Sequence, residues 1–236
     1  MALPKIKYPT FELKIPSNQK KELFRQFLVK EEKMLLMAKT SEDSADIFRA
    51  VKQVVNNCAI SESFDIDKLT IFDLEYLFLQ LRALSVNNIV KLTYKDNEDE
   101  KTYDFAVDLS KIEVVFPPDI SKVIKITSTM GLVMKYPTAS LFDDKEFLDS
   151  GEDAFYELIL RCIEHIYDGD DIHDPSNYSK QEIEEYLDNI DIASFEKIQS
   201  FMNSVPKLSY KIEYKNSLDH DRVIELSTLT DFFTLG

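Results

Sequence analysis

The sequence is poor in the residues that most reaction centres require. It has no Trp, four Gly, two Cys and three His among 236 residues. Loops that cradle phosphates depend on glycine, while zinc sites and nucleophilic catalysis need clustered His and Cys. The histidines are scattered, at His165, His173 and His220. We therefore expect no cofactor, no metal and no enzymatic activity.

Two local patterns resemble functional sites but lack residues that such sites need. The acidic run 168–174 would need Gly at position six and Glu at position twelve of an EF-hand loop, but those positions hold His173 and Ser179. Cys162 and His165 would lie one turn apart on a helix, yet Cys162 falls on an apolar stripe. We interpret the first as an acidic interhelical loop and the second as packing.

Long apolar runs are also absent. No stretch of about 18 uncharged apolar residues could span a bilayer, and Lys5 and Lys7 interrupt any signal-like start. Cys58 and Cys162 fit buried thiols of a reducing compartment. We expect a protein without a membrane span that is made and used in a cytoplasm.

Basic residues are in deficit, since 43 Asp and Glu face 28 Lys and Arg, for a net charge of −15. Such a charge repels phosphate backbones and anionic lipids, and it favours basic protein surfaces. We predict protein partners, and neither a nucleic acid nor a small-molecule substrate. The N-terminal part is locally basic, whereas 42–46 and 168–174 are acidic.

Apolar residues make up 44% of the chain, enough for a core in one large domain or in two of about 120 residues. Pro117-Pro118 follows a β-rich run and cannot continue a central strand, which places a boundary there. The prediction is an α+β fold of two related halves, 1–117 and 118–236. Each half would pack helices beside a small antiparallel strand pair or sheet.

Periodicity predicts the elements of both halves. The clearest helix begins after Thr70 and ends near Ser85, while 120–134 is compatible with a helix, a strand pair or both. A capping box at Ser179 and Glu182 predicts another helix start. The other predictions are strands at 11–16, 22–27, 89–94, 103–109, 112–116, 208–214 and 223–226, helices at 30–39, 153–167 and from Phe195 to Pro206, a helix capped by Asp43 or Ser44 and ending at Cys58, and an apolar tail at 229–233 that docks or binds a partner.

The two halves share a plan. Lys-Tyr-Pro-Thr occurs at 7–10 and 135–138, and each half has a helix leading into a strand pair, with Tyr94 and Tyr214 in matching positions. The offsets are 128 residues (7 to 135) and 120 residues (94 to 214). Duplication of a supersecondary unit would explain this and would favour a scaffold; chance recurrence of common residues is the alternative.

Several longer runs carry a family resemblance. They are Tyr-Pro-Thr-Phe-Glu-Leu-Lys-Ile-Pro at 8–16, Phe-Leu-Val-Lys-Glu-Glu-Lys at 27–33, Glu-Tyr-Leu-Phe-Leu-Gln-Leu-Arg at 75–82, Gly-Leu-Val-Met-Lys-Tyr-Pro-Thr at 131–138 and Phe-Glu-Lys-Ile-Gln-Ser-Phe at 195–201. The chain resembles the baseplate hub subunit and hub-assembly proteins of T-even-like, contractile-tailed bacteriophages. The resemblance implies a non-enzymatic part in building the hub in an infected bacterial cytoplasm, through contacts with other hub and tail proteins.

The hairpin tips depart from this resemblance. The family often carries cysteine pairs there, suited to zinc knuckles, but tips 96–100 and 216–221 have no cysteine. The resemblance then implies lost metal sites, with hairpins held by strand pairing and packing alone. The aromatic residues that we select as partner-contact anchors are Tyr8, Phe11, Phe72, Tyr76, Phe232 and Phe233.

Three other functions stay open at this point. The protein could be a transient tail-assembly chaperone that is absent from the mature virion, or an acidic host-directed binding module. A hydrolase that uses carboxylates is the third, and it would need a concave pocket holding two acids with raised pKa values.

Overall fold

The computed structural model describes residues 7–40, 44–118 and 121–233, without the side chains of Ser44 and Phe233. Within these ranges the fold is α+β, with eight α-helices and four small antiparallel sheets, as predicted. The helix cap expected at Asp43 or Ser44 lies outside the described residues. No described helix is long and apolar enough to cross a membrane.

The chain forms two compact units. The first contains residues 1–115 and 207–236, and the second contains 116–206. The predicted halves therefore need correction: their boundary lies two residues from the first break, but 207–236 does not group with the residues before it. The cause is strand pairing, because Leu208 pairs with Val114 and ties the last part of the chain to the first unit.

The first unit consists of three hairpins, three long helices and a short terminal helix. The helix α3 is its centre: Leu74, Leu77 and Leu81 are fully buried, and Thr70 and Asp73 form the capping box at its start. The elements are β1 Thr10–Lys14, β2 Lys21–Arg25, α1 Val29–Lys39, α2 Ser44–Cys58, α3 Ile71–Ser85, β3 Ile89–Lys95, β4 Thr102–Asp108, β5 Glu113–Val115, β10 Lys207–Lys215, β11 Asp221–Leu226 and α8 Leu229–Phe233.

A buried ion pair positions α1. Arg25 at the end of β2 contacts both carboxylate oxygens of the fully buried Glu31, at 2.8 and 3.2 Å. The same carboxylate accepts the Leu28 N–H at 2.9 Å, and Arg25 also donates to the Asn57 carbonyl at 2.7 Å. Since removing one partner of a buried pair leaves an uncompensated charge, Arg25 holds the start of α1 against β2 and α2.

The second unit packs helices on a four-stranded sheet of order β6-β7-β8-β9. Leu132, Ile166 and Phe201 belong to its buried core. The helix α6 begins at the predicted Ser179 and Glu182 capping box. The elements are β6 Val123–Lys125, β7 Met130–Met134, α4 Lys145–Leu148, α5 Ala154–Arg161, β8 Ile163–Asp168, β9 Asp171–His173, α6 Lys180–Asp188 and α7 Ile192–Asn203.

The helix predicted over 153–167 is wrong beyond Arg161, where β8 begins. A bulge explains the misleading pattern. His165 pairs with Val133 but Ile163 pairs with Met134, so one extra residue separates the pairs. Ile163 and Ile166 are thereby buried on one face although they are three apart, which imitates helical spacing. The acidic run 168–174 is correspondingly not interhelical; it begins as the turn between β8 and β9, with Gly169 at φ +59°.

Candidate protein-interaction surfaces

The tips of the two predicted hairpins have the same local structure. Asp96 opens the tip between β3 and β4, and its side chain accepts the Glu98 N–H at 2.7 Å. Asn216 opens the tip between β10 and β11 and accepts the Leu218 N–H at 3.0 Å. In each tip the opening residue also donates its own N–H to a carbonyl across the turn: Asp96 to Lys101 at 2.9 Å, and Asn216 to His220 at 3.1 Å. Both are turns closed by an Asx side chain.

The two tips bind each other through their side chains. Asp96 is fully buried; it accepts the Tyr214 hydroxyl and lies 3.2 Å from Arg222 Nε. Tyr214 also packs its ring against Tyr103 and Phe105, each at 5.1 Å between centroids. The contact therefore combines an aromatic cluster with a compensated buried carboxylate.

Glu98 and Asp99 extend the contact. Glu98 accepts Asn216 Nδ2 at 2.7 Å and lies 2.7 Å from His220 Nδ1, while Asp99 accepts the Ser217 N–H at 2.9 Å. The β3–β4 hairpin supplies the carboxylates, and the β10–β11 hairpin supplies most of the hydrogen-bond donors. We call this set the hairpin junction: Asp96, Glu98, Asp99, Tyr103, Tyr214, Asn216, Ser217, His220 and Arg222.

The charges of the hairpin junction fit its contacts. The hydrogen bond from Tyr214 holds the pKa of Asp96 below its usual value. Hydrogen bonds from Tyr103, Lys101 and Ser217 outweigh desolvation and hold the pKa of Asp99 well below its usual value. Desolvation first, and then the bond to Asp96, raises the pKa of Tyr214 to about 12.

The hairpins are thus not held by strand pairing and packing alone, as the resemblance implied, because side chains bond one tip to the other. No group of three or more His, Cys, Asp or Glu among the described residues is arranged to hold a metal ion. The polar contact lies at the hairpin tips, where the family resemblance implied cysteine pairs. The sequence pattern predicts both tips but not that they contact each other.

A buried carboxylate also lies beneath the chain's last helix. Glu75 on α3 is 7% exposed and accepts the Leu229 N–H of α8 at 3.2 Å. Burial raises its pKa to about 7, an effect to which the charge of Asp231 adds. We call Glu75, Leu229 and Asp231 the Glu75 site. The apolar tail is therefore docked, with Leu229 fully buried.

The helix α1 exposes an apolar face. Val29, Leu36 and Met37 are 73%, 57% and 74% exposed, and their spacing places them on the side opposite the buried Glu31 and Leu35. A surface helix normally keeps its apolar residues on the core side. We call Val29, Leu36 and Met37 the outer face of α1. The sequence carried a signal for it, since Val29 and Leu36 are seven residues apart, which is two turns of a helix.

The six aromatic residues selected as anchors differ in exposure. Tyr8 is exposed, Phe11 and Tyr76 are half-buried, and Phe72 and Phe232 are each 2% exposed. The side chain of Phe233 lies outside the described residues. In this conformation the two buried side chains offer no surface to a partner, so Tyr8, Phe11 and Tyr76 stay candidates.

Burial makes both thiols poor nucleophiles, although Arg25 lies 3.6 Å from the Cys58 sulfur. Cys58 and Cys162 are fully buried, and burial raises their pKa values to about 11 and about 12, which disfavours the nucleophilic thiolate. His165 lies in β8, so it is not one helical turn from Cys162. Two cavities between described residues of the second unit hold two acids each. Asp144 and Glu146 line one of them beside Arg161, and the hydrogen bond from Arg161 lowers the pKa of Asp144. Asp168 and Glu182 line the other, between the sheet and α6. Hydrogen bonds from Ser179 lower the pKa of Glu182, the opposite of what a general acid needs.

The fold and these surfaces define a protein that offers contact faces and compensated charges, the features of a structural component. Residues 8–234 match the family described as T4 bacteriophage base plate protein, and the chain belongs to that family. It is a structural protein of a T4-like phage tail baseplate. Searches of curated proteins and of solved structures found no match.

Proposed function

We propose that this baseplate protein builds or assembles the hub of the baseplate through protein-protein contacts, without catalysis, in the cytoplasm of the infected bacterium. The family supports the baseplate role. The observation that carries the contact mechanism is the outer face of α1. Three large apolar side chains there are more than half exposed on one helix, and contiguous exposed apolar surface is typical of interaction sites.

The setting of α1 supports this use. The buried Arg25–Glu31 pair fixes the start of the helix, so its outer face is presented by a rigid element. Rigid presentation lowers the conformational cost of binding. By helical spacing the exposed Lys33 lies within this face, one turn from Val29, Leu36 and Met37, which suits a partner that carries an acidic side chain among apolar ones.

Co-purification with the other baseplate proteins tests this proposal. The full chain is co-expressed with them as wild type, as the triple variant Val29→Ser, Leu36→Gln, Met37→Gln, and as Ile192→Gln. Ile192 is 80% exposed on α7 in the second unit. The change Ile192→Gln therefore removes one highly exposed apolar side chain that lies outside α1. We expect the triple variant to retain at least tenfold less partner, and Ile192→Gln to bind as wild type. Equal retention by all three proteins would contradict the proposal for α1.

The transient chaperone is an alternative within the same proposal. Both versions of the proposal need the outer face of α1. They differ only in whether the protein remains in the mature virion. Quantitative mass spectrometry of purified virions beside assembly intermediates separates them, because a component is present in both and a chaperone only in the intermediates.

A further inference from the structure

A partly buried cavity lies in the second unit between the sheet and α6. Its volume is about 310 Å³, within the range that small ligands and single side chains occupy. Met130 of β7, Ile166 of β8 and Ile183 of α6 form the apolar part of its lining, and the last two are less than 10% exposed. The floor can therefore cover a hydrocarbon stem.

The rim of the cavity is acidic and aromatic. Asp168 ends β8 and lies on the same sheet face as Ile166. It is exposed, and none of the described residues donates a hydrogen bond to its carboxylate. Glu182 is occupied by the helix cap, where it accepts the Ser179 N–H at 2.8 Å. His173 and Tyr178 form one wall, joined by a 2.6 Å hydrogen bond. Asp168 is thus the carboxylate that is free to receive a ligand.

Tyr186 supplies an independent sign of a ligand. Its hydroxyl is shielded from solvent and has no hydrogen-bond partner among the described residues. Buried hydroxyls are nearly always paired, and an unpaired one is costly. Burial, and then the charge of Asp168, raises the pKa of Tyr186. Tyr186 and Asp168 line the same cavity, so both can contact one bound group.

The charge around the cavity selects a cation. No Lys or Arg occurs among its described lining residues, and Asp170, Asp171 and Asp174 follow Asp168 closely in the chain. An anion would be repelled, whereas a cation would be attracted and concentrated.

We propose that this cavity binds the guanidinium group of an arginine side chain presented by a partner protein. The arginine stem would cover the apolar floor, and its planar head would lie against Tyr178 or Tyr186. Two N–H groups would donate to Asp168 in the bidentate geometry that arginine favours. A rotation of Tyr186 that uncovers its shielded hydroxyl would let that hydroxyl accept a third N–H. Lysine offers a compact charge without this plane.

Two parts of this proposal can fail separately. That the arginine belongs to a protein rests on the proposed function, whereas binding of a guanidinium rests only on the cavity. A small probe tests the second part without any baseplate protein. The probe is N-acetyl-arginine methylamide, compared with the lysine and citrulline analogues.

Methyl NMR of the full chain is the measurement. We expect the arginine probe to shift the signals of Met130, Ile166 and Ile183 in a saturable way. The lysine analogue should bind at least threefold more weakly, and citrulline, which lacks the charge, at least tenfold more weakly. Equal shifts with citrulline, or no shift at these three residues with the arginine probe, would overturn the site.

Two variants assign the contacts. Asp168→Asn should weaken binding of the arginine probe about tenfold, while Asp170→Asn, which changes the same turn but not the lining, should weaken it less than twofold. Tyr186→Phe should also weaken binding without lowering thermal stability, since the removed hydroxyl has no protein partner. Equal weakening by both aspartate variants would show general acidity and overturn the pocket. Should the probe bind as expected while hub proteins do not co-purify, the proposed function fails and the site stands.

Discussion

The hairpin junction and the Glu75 site bury carboxylates in the same unit in opposite ways. Asp96 is fully buried among a hydroxyl, a guanidinium and a backbone N–H, which keep it charged. Glu75 is almost as buried, but among the described residues it accepts only the Leu229 N–H, with the like charge of Asp231 nearby. Burial alone therefore does not set the protonation state; the number and charge of the partners do.

The difference gives the two regions opposite responses to pH. A carboxylate whose pKa is lowered on folding stabilises the fold above its unfolded pKa, and that stability is lost as pH falls toward the folded pKa. A carboxylate whose pKa is raised on folding stabilises the fold at low pH, and that stability is lost as pH rises. The hairpin junction should weaken in acid and the Glu75 site near neutrality.

The largest expected effect comes from Glu75. Because its pKa rises on folding from 4.5 to about 7, the folded state holds the proton more tightly. The free energy of unfolding should therefore fall by about 3 kcal/mol as pH rises from about 4 to 8. Glu75→Gln keeps an oxygen for the Leu229 N–H and should remove most of this fall. Urea unfolding followed by circular dichroism at several pH values measures it.

Glu225→Gln is the matched control for Glu75→Gln. Glu225 is exposed on β11 in the same unit, so its amide should leave the pH profile unchanged. If Glu75→Gln and Glu225→Gln give the same profile as wild type, Glu75 is charged in the folded state at neutral pH, and the comparison between the two regions fails.

Tyr214→Phe tests the compensated side of the comparison. The change removes the hydroxyl that donates to Asp96 but keeps the ring in its aromatic cluster. Asp96 loses one charge-assisted hydrogen bond, so the free energy of unfolding should fall by about 1–2 kcal/mol. Tyr94→Phe is the control. Tyr94 lies on β3 two residues before Asp96, as Tyr214 lies on β10 two residues before Asn216, and its hydroxyl has no hydrogen-bond partner among the described residues. Equal losses in both variants would show that the Asp96 bond contributes nothing.

Local sequence patterns predict many of the helices and strands in both units. The capping boxes at Thr70 and Ser179 mark helix starts because they satisfy N–H groups within four residues. The alternation at 89–94 and 103–109 marks a hairpin for the same local reason. The error at Ile163 shows the limit: a bulge depends on the partner strand, so residues near in sequence do not encode it.

Contacts between distant segments were beyond local rules. The pairing of Leu208 with Val114 and the bond from Tyr214 to Asp96 join residues about 100 positions apart. The duplication stays a prediction, with uneven local support. The two hairpin tips open with equivalent Asx turns. The two Lys-Tyr-Pro-Thr segments differ in structure, because Thr10 begins β1 whereas Thr138 precedes a short 3-10 turn after β7.

Acid provides the next test, with a smaller expected effect. The pKa values of Asp96 and Asp99 are lowered on folding, so protonation below about pH 4 should loosen the hairpin junction. Measured in the Glu75→Gln background, the free energy of unfolding should fall from pH 5 to pH 3. Adding Asp96→Asn should make that fall shallower, and adding Glu225→Gln should not. A slope that Asp96→Asn leaves unchanged would mean that Asp96 is not held charged by its partners.

Arg222→Lys should have the smallest effect and separates charge from geometry in the hairpin junction. Arg222 reaches Asp96 through Nε at 3.2 Å and Glu98 through its terminal nitrogen at 3.4 Å, and lysine can match only one of these contacts. Because the side chain is one third exposed, solvent screens the pair and the loss should be about 0.5–1 kcal/mol. Arg82→Lys on α3 is the control for the change of residue type. A loss larger than that of Tyr214→Phe would mean that the Arg222 guanidinium, and not the tyrosine hydroxyl, is what keeps Asp96 charged, and would reverse the order of the two contacts.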